Sequence, residues 1–493
     1  MLSNPKFIPF LKILTLLFII VPNLLFNIFW VKTSFGILSV IFILSGFYFY
    51  FKVDSSQKSE YKPLDFSLKN LFGLLFIALF LTLISGTGGF SDQIYDYIGH
   101  NTKFRDLYEK PWPFRYVEVN SYPAYYFGYY LVPAFLAKIF NHVRILSMIW
   151  TAIGLFIVLF WAYILIGKKS IVYLLIFLLF GGLYATGNHV FELIANKMIT
   201  ADLYWSDFKP MSEAFLIYMP LYLSSVWVPN QFLPSCIVIG FIVYEIFYEK
   251  KGFKSIALIP LLAIWAPFPA VSIVFIVLGV FLFNSFKTNL QGIKWFEFWP
   301  ALIFTIGCLP IFLYLLSSKS GETANGFIWS FDKNWWLVWP TFLLLEFGLL
   351  TFFLLKFTKN SSKLPLDKSL LAVIVVLCIL PVFHFGRNND FTARACIPAF
   401  FLLNIILANR FSALVKLKTN LKFVVIGLFL IGSFIPLRVF WRGAFHNKLF
   451  GEPKTYFVYG DMYQVLKNYH SPAEANQYLA DNDSFFVKYL VKK

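Results

Sequence analysis

Stretches of about twenty apolar residues recur from one end of this chain to the other, and few folds can house them. A bilayer-spanning helix needs about 20 such residues. Runs such as IVYLLIFLLF (171–180) and VVIGLFLIGSF (424–434) are continuous rather than alternating, which argues against an outer-membrane barrel. Composition agrees: of 493 residues, 59% are hydrophobic and 14% charged, against about 25% charged in an ordinary soluble chain. Mean hydropathy is +0.70. The expected fold is all-α: a polytopic transmembrane helical bundle with interfacial helices in its outer loops.

The net charge of +17 would suit a nucleic-acid binder. Most of the lysines fall in short loops between apolar runs, where the positive-inside rule accounts for them. Some can also hold anionic lipid. Cys236, Cys308, Cys378 and Cys396 lie in or beside apolar segments without CxxC spacing, so they read as small buried residues. The six histidines are scattered and form no zinc pattern. Lys6 and Lys12 precede an apolar run with no convincing cleavage site, which reads as a first span rather than a removed signal peptide.

Candidate spans are 8–30, 33–51, 69–86, 145–166, 170–186, 231–248, 254–267, 269–285, 297–316, 335–356, 369–384, 396–410 and 421–438, about thirteen in all. With the N-terminus in the cytoplasm, six loops on that side carry Lys52, Lys58, Lys62 and Lys69; Lys168 and Lys169; Lys250, Lys251 and Lys254; Lys287 and Lys294; Lys356, Lys359, Lys363 and Lys368; and Arg410, Lys416 and Lys418. This layout requires that YPAYYFGYYLVPAFLAKIF (122–140) does not cross; its tyrosines, prolines and lysine suit an interfacial or half-buried helix. The outer face then holds 87–144, 187–230, 317–334, 385–395 and the tail. Residues 1–438 form the bundle and 439–493 a small non-cytoplasmic segment. That tail is too short for much core of its own. Ser471, Pro472 and Glu474 mark a helix start within it.

Polar side chains concentrate in those outer regions. In SGTGGFSDQIYDYIGHNTKFRDLYEKPWPF (85–114), Asp92, Asp96, His100, Asn101, Arg105 and Asp106 follow a span directly. On a helix Asp92 and Asp96 share a face, and His100 joins them one turn on. A carboxylate there could take the proton of an attacking hydroxyl; the plainer alternative is a first helical turn whose acids favour the dipole. Asp106 could pair with Arg105 or Lys103 in solvent. In FHFGRNNDFTARACIPAF (383–400), Arg387 and Arg394 could clamp a phosphate through charge-assisted bonds. An Asp390 ion pair that holds the loop would explain them equally simply. Asn230 and Gln231, in WVPNQFLPSC (227–236), enter a span between prolines and could bond a substrate hydroxyl, or Asn230 could cap the helix. His189 and Glu192 share a face in GNHVFELIANK (187–197), as an acid–base pair or a solvated turn. No P-loop, GxSxG elbow or dinucleotide fingerprint is present, so a donor already activated in the membrane fits better than nucleotide hydrolysis.

These features resemble the GT-C class of membrane glycosyltransferases. The resemblance lies in topology over most of the chain, and in motifs over about fifty residues: QIYDYIGHN followed by DLYEKPWP, and FGRNNDFTAR. It implies a polyprenyl-phosphate sugar donor, an envelope glycan, lipid or protein acceptor, and a site on the outer face of a bacterial inner membrane. It places the catalytic carboxylate at Asp96 or Asp92, with Asp96 favoured. His100, Asn101, Asp106, Asn230, Gln231, His189 and Glu192 become candidate substrate contacts, and Arg387 and Arg394 candidate donor-phosphate contacts. No cofactor is required, although Asp92 with Asp96 has the donors for a divalent cation. The chain departs from the class in having two additional spans before the acidic loop. A transporter or flippase for a polar envelope precursor is the main alternative; Glu245 and Glu346 are its main candidates for charge within the spans. An acyl- or phosphotransferase using His100 or His189 as base, and a noncatalytic assembly subunit, are the others.

Overall fold

The computed structural model describes residues 7–52, 67–168, 170–196, 211–212, 214–288, 295–319, 324–359, 363–386, 388–445, 460–469 and 471–493. Helices make up most of it. The first eleven are α1 (Phe7–Phe29), α2 (Thr33–Lys52), α3 (Leu68–Ile84), α4 (Tyr97–Glu109), α5 (Gly128–Phe140), α6 (Val143–Ile166), α7 (Val172–Leu179), α8 (Tyr184–Asn196), α9 (Leu221–Trp227), α10 (Pro229–Val243) and α11 (Pro267–Thr288). Among the described residues, the strands Asn325–Phe327 and Phe383–Phe385 pair antiparallel, with Gly326 opposite His384.

Seven helices are long and apolar enough to cross a membrane among the described residues, or nine if each of two bent pairs is one span. The bent pairs are Trp295–Gly307 with Leu309–Leu316, at 51°, and Leu421–Gly432 with Phe434–Phe445, at 50°. Pro310 and Pro436 lie just past the two breaks. Each lacks the N–H that would continue the ladder. Two of the expected thirteen stretches do not form long helices. In 170–186 the helix is only eight residues, α7, ending at an extended Phe180 before Gly182 at φ +64°. In 254–267 the chain makes two 3-10 turns, Lys254–Leu258 and Pro260–Leu262.

The centre of the bundle is α6, α10 with its extension to Tyr248, and the helix Ile397–Leu414. Their apolar windows are 83%, 89% and 94% buried, against 28% for α2 at the edge. In lipid, apolar side chains gain nothing by leaving one greasy phase for another, so helices associate through close packing and polar bonds. Both devices are present. Gly240 lets Trp161 and Phe401 approach its backbone; an added Cβ would lie 3.0 Å from Trp161 and 3.2 Å from Phe401. Trp161 Nε1 donates to Thr15 Oγ1 at 2.9 Å, Asn404 Nδ2 to the Phe177 carbonyl at 2.9 Å, and Asn23 Nδ2 to the Leu261 carbonyl at 3.1 Å.

The two ends of the bundle differ in kind. At one end Lys12, near the start of α1, meets Glu245 at 2.8 Å and also pairs with Glu249. Tyr50, near the end of α2, donates to Glu245 at 2.6 Å. At the other end the C-terminal residues close over the helix ends. The Lys32 N–H donates to Leu490 at 2.7 Å, and Ala480 forms a bridge with Ser318. The polar segment after α3 lies at this second end, and so does the start of α6, whose Arg144 Nε donates to the Gly88 carbonyl at 2.9 Å. The chain from α3 to α6 therefore leaves and re-enters at one end. Between them α5 is 13 residues, about 20 Å long, too short to cross. It is more deeply buried than an interfacial helix would be: Gly128 donates to the Ile264 carbonyl at 2.7 Å, and Tyr129, Tyr130 and Leu131 are buried.

Candidate functional site

The local chain before α4 explains how its polar face is aimed. Gly88, at φ +77°, lies against the Arg144 carbonyl; a Cβ there would come within 2.6 Å of that oxygen. Only glycine meets both demands. Gln93 then braces the turn to the helix. Its Nε2 donates to the Gly86 carbonyl at 2.8 Å, and its Oε1 accepts from Asn101 Nδ2 at 2.7 Å. The helix starts at Tyr97 with Asp96 at the cap position, and the Asp96 carboxylate makes no capping bond. Asp96, His100 and Lys103 therefore follow one another at i, i+4 and i+7, along one face.

That face forms one wall of a polar cavity of about 140 Å³. Tyr125 and Tyr126, just before α5, form another wall, and Asn230 and Gln231 on the first turn of α10 a third. Asp390 and Arg394 enter from the short helix Asp390–Ala395. The C-terminal segment closes the cavity with Tyr469, Glu474 and Tyr478. Asp96, His100, Asn230, Gln231 and Arg394, remote in sequence, thus line one space.

Charge in this space is unevenly matched. Arg394 has Asp390 at 2.9 Å, one turn away. Burial works against the guanidinium charge, and Asp390 with the surrounding tyrosines more than restores it. His100 is neutral. Burial, then the Lys103 charge, lower it to about 3. Its two nitrogens sit 3.1 Å from the Trp227 carbonyl (Nε2) and 2.7 Å from Tyr130 Oη (Nδ1). A neutral ring then donates from Nε2 and accepts from the tyrosine at Nδ1. Both nitrogens are engaged, so His100 positions the cavity wall and is poorly placed as a proton acceptor. Lys103 is lowered to about 7, by burial first; Asp96 opposes this and Arg394 reinforces it. Gln231 Nε2 donates to Tyr126 Oη at 3.0 Å, and Asn230 Nδ2 lies 3.4 Å from Tyr125 Oη. The side-chain oxygens of both amides lack a hydrogen-bond partner among the described residues.

The other predicted site residues go elsewhere. Asp92 lies before the helix rather than on it, because α4 does not begin until Tyr97; it pairs with Arg442 at 3.3 Å near the surface. The shared Asp92–Asp96 helix face is therefore not formed. Among the described residues there is no group of three or more His, Cys, Asp or Glu side chains that could hold a metal. Asn101 is spent on Gln93. Asp106 is buried and accepts from the Met462 N–H at 2.8 Å, with Lys110 at 3.5 Å. Burial raises it to about 6, with Lys110 and the Met462 N–H opposing. It ties the C-terminal segment to α4 and does not line the cavity. Asn230 does not cap α10, whose cap position is Val228. His189 and Glu192 sit on α8, which packs against the turn Leu344–Gly348, away from this cavity. Arg387 lies outside the described residues.

Sequence reasoning missed Lys103 and the tyrosines. The signals were there: Lys103 continues the Asp96–His100 spacing, and YPAYYFGYY carries five tyrosines in nine residues. The chain matches no protein-family model, no curated protein and no solved structure.

Proposed function

We propose that this chain is a membrane glycosyltransferase that takes a sugar from a polyprenyl-phosphate-linked donor and passes it to an envelope glycan, lipid or protein acceptor. The observation that carries this reading is the meeting of Asp96 with Arg394 in one polar cavity at one end of an apolar bundle. In the transfer, the acceptor hydroxyl loses its proton to the Asp96 carboxylate as its oxygen bonds to the anomeric carbon. The bond from that carbon to the donor phosphate breaks, and the phosphate keeps the electron pair. Arg394 stands where it can offset the charge that develops there. The unpartnered oxygens of Asn230 and Gln231 give acceptor capacity for sugar hydroxyls.

The end opposite the cavity carries Lys12, Lys251 and Lys254 around Glu245, together with Lys168 and Arg410. Counted over short loops, the positive-inside rule then favours the cytoplasm for that end and the outer face for the cavity, and we take the membrane to be a bacterial inner membrane. The decisive experiment is transfer by purified Asp96→Asn in detergent, with radiolabelled polyprenyl-phosphate sugars offered to envelope extracts. We expect turnover to fall by about 10² or more while the folded state is retained. Near-normal turnover by this variant removes Asp96 from the mechanism.

A further inference from the structure

Lys103 is only 6% exposed, yet no carboxylate lies within ion-pair distance of it among the described residues. Its Nζ is held by ring faces. The centroid of Tyr125 is 4.4 Å away, that of Tyr478 5.7 Å and that of Tyr130 5.8 Å. Ring faces attract a cation but provide no lone pair along its N–H bonds. An ammonium has three donors to satisfy, and among the described residues none of them meets a hydrogen-bond acceptor.

The direction of the side chain is also set. Helical side chains lean toward the N-terminus. Lys103 leans back over Gly99, where a Cβ would stand 3.3 Å from Nζ. The ammonium thus comes to the part of the cavity lined by Asp96, Gly99 and His100. Arg394 differs in that one of its guanidinium nitrogens is held by Asp390 at 2.9 Å. The cavity is not cationic as a whole, since Asp96, Asp390 and Glu474 also line it. What is local and specific is a buried cation with open donors.

We propose that Lys103 is the anion seat of this cavity, where its ammonium, backed by Tyr125, Tyr130 and Tyr478, takes a phosphate-like group of the ligand. This rests on the transferase reading only for the identity of that group, which would be the donor's phosphate. In that reaction Lys103 supplies hydrogen bonds to the leaving oxygens, and Arg394, held by Asp390, adds its charge beside them.

Isothermal titration calorimetry of the full chain in detergent, with sulfate as the probe, tests the seat. Saturable sulfate binding is expected, weakened about tenfold or more in Lys103→Met and retained in Lys103→Arg. The arginine variant guards against a methionine variant that misfolds. No saturable binding by the wild-type chain overturns the proposal, as does equal binding by Lys103→Met. Competition then separates two sources of the same chemistry. Displacement of sulfate by a polyprenyl phosphate at far lower concentration than by inorganic phosphate supports a lipid-borne group at the seat. Equal displacement supports a soluble phosphate at the same seat. Intact sulfate binding with no sugar transfer in any assay would count against the transferase reading and leave the seat standing.

Discussion

If Lys103 binds anions through its charged form, affinity must fall as the solution is made alkaline, and the structure sets where. Burial brings this amine to about 7. The fraction charged is then about nine-tenths at pH 6, about half at pH 7, about a tenth at pH 8 and about a hundredth at pH 9. Apparent sulfate affinity should follow it, dropping about tenfold from pH 6 to 8 and about tenfold again from 8 to 9. Sulfate keeps its own charge throughout, so the slope belongs to the protein. The neighbours facing Lys103 do not mimic it. His100 on the same helix, at about 3, is neutral throughout, and Arg394 from the facing helix stays charged. Burial holds Tyr125, Tyr130 and Tyr478 above their ordinary range. Asp96, Asp390 and Glu474 complete the charged lining. Above about pH 7 each bound sulfate should also draw in a proton, approaching one per anion by pH 8, visible in buffers of different ionisation enthalpy. The amine has a separate effect on folding. The unfolded chain holds this proton more tightly, so the fold gains stability as pH rises from about 7 toward 10.5. Arginine does not deprotonate in this range, so Lys103→Arg should bind sulfate with no such slope. A flat wild-type profile, or a slope that persists in Lys103→Arg, refutes the reasoning.

The opposite end of the bundle offers a stability test. Lys12→Met leaves Glu245, 1% exposed, without its 2.8 Å partner and should cost about 3–5 kcal/mol in denaturant titrations in detergent. Adding Glu245→Gln should recover much of that loss, and failure to recover it would mean that the pair is not what holds this end. At the surface, Asp92→Asn breaks only the exposed 3.3 Å contact with Arg442, so it should shift stability by less than about 1 kcal/mol and leave sugar transfer unchanged. A loss of transfer comparable to that in Asp96→Asn would bring Asp92 into the site.

The long spans were legible because apolar length is a direct physical requirement of the bilayer. What sequence could not give was where an apolar run breaks. The stretch 254–267 is as apolar as its neighbours, but its second 3-10 turn starts at Pro260 and both turns pack against the helix Trp299–Gly307, with α1 and α10 beside them. The site divides in the same way. Asp96 and Arg394 stood out as charges beside membrane spans. Asp92 and Asp106 carried the same signal, but their roles are fixed by partners far along the chain, Arg442 and the Met462 N–H. Lys103 was hidden for the opposite reason. A lysine in a charged stretch reads as solvated, and only the folded tyrosines, one of them at position 478, bury it.

Buried charge also bears on the choice between transfer and transport. A transport path needs polar groups in succession through the bundle, in helices that break where the cargo binds. Two glutamates lie within apolar helices, each on a π-helical turn, Tyr244–Tyr248 and Leu344–Gly348. Glu245 is engaged by Lys12 and Tyr50 at one end, in an arrangement that ties α1, α2 and α10 together. Glu346 is 1% exposed, and neither carboxyl oxygen has a hydrogen-bond partner among the described residues. It does not sit in open space, because a Cβ on Gly182 would lie 2.7 Å from its Oε2 and 2.0 Å from its carbonyl. A cargo would have to displace that backbone to reach it. The polar cavity beside α4, by contrast, already has room, donors, acceptors and a carboxylate at one end of the bundle. Chemistry at one face needs only that cavity, whereas transport would need a second conformation to connect it to Glu346.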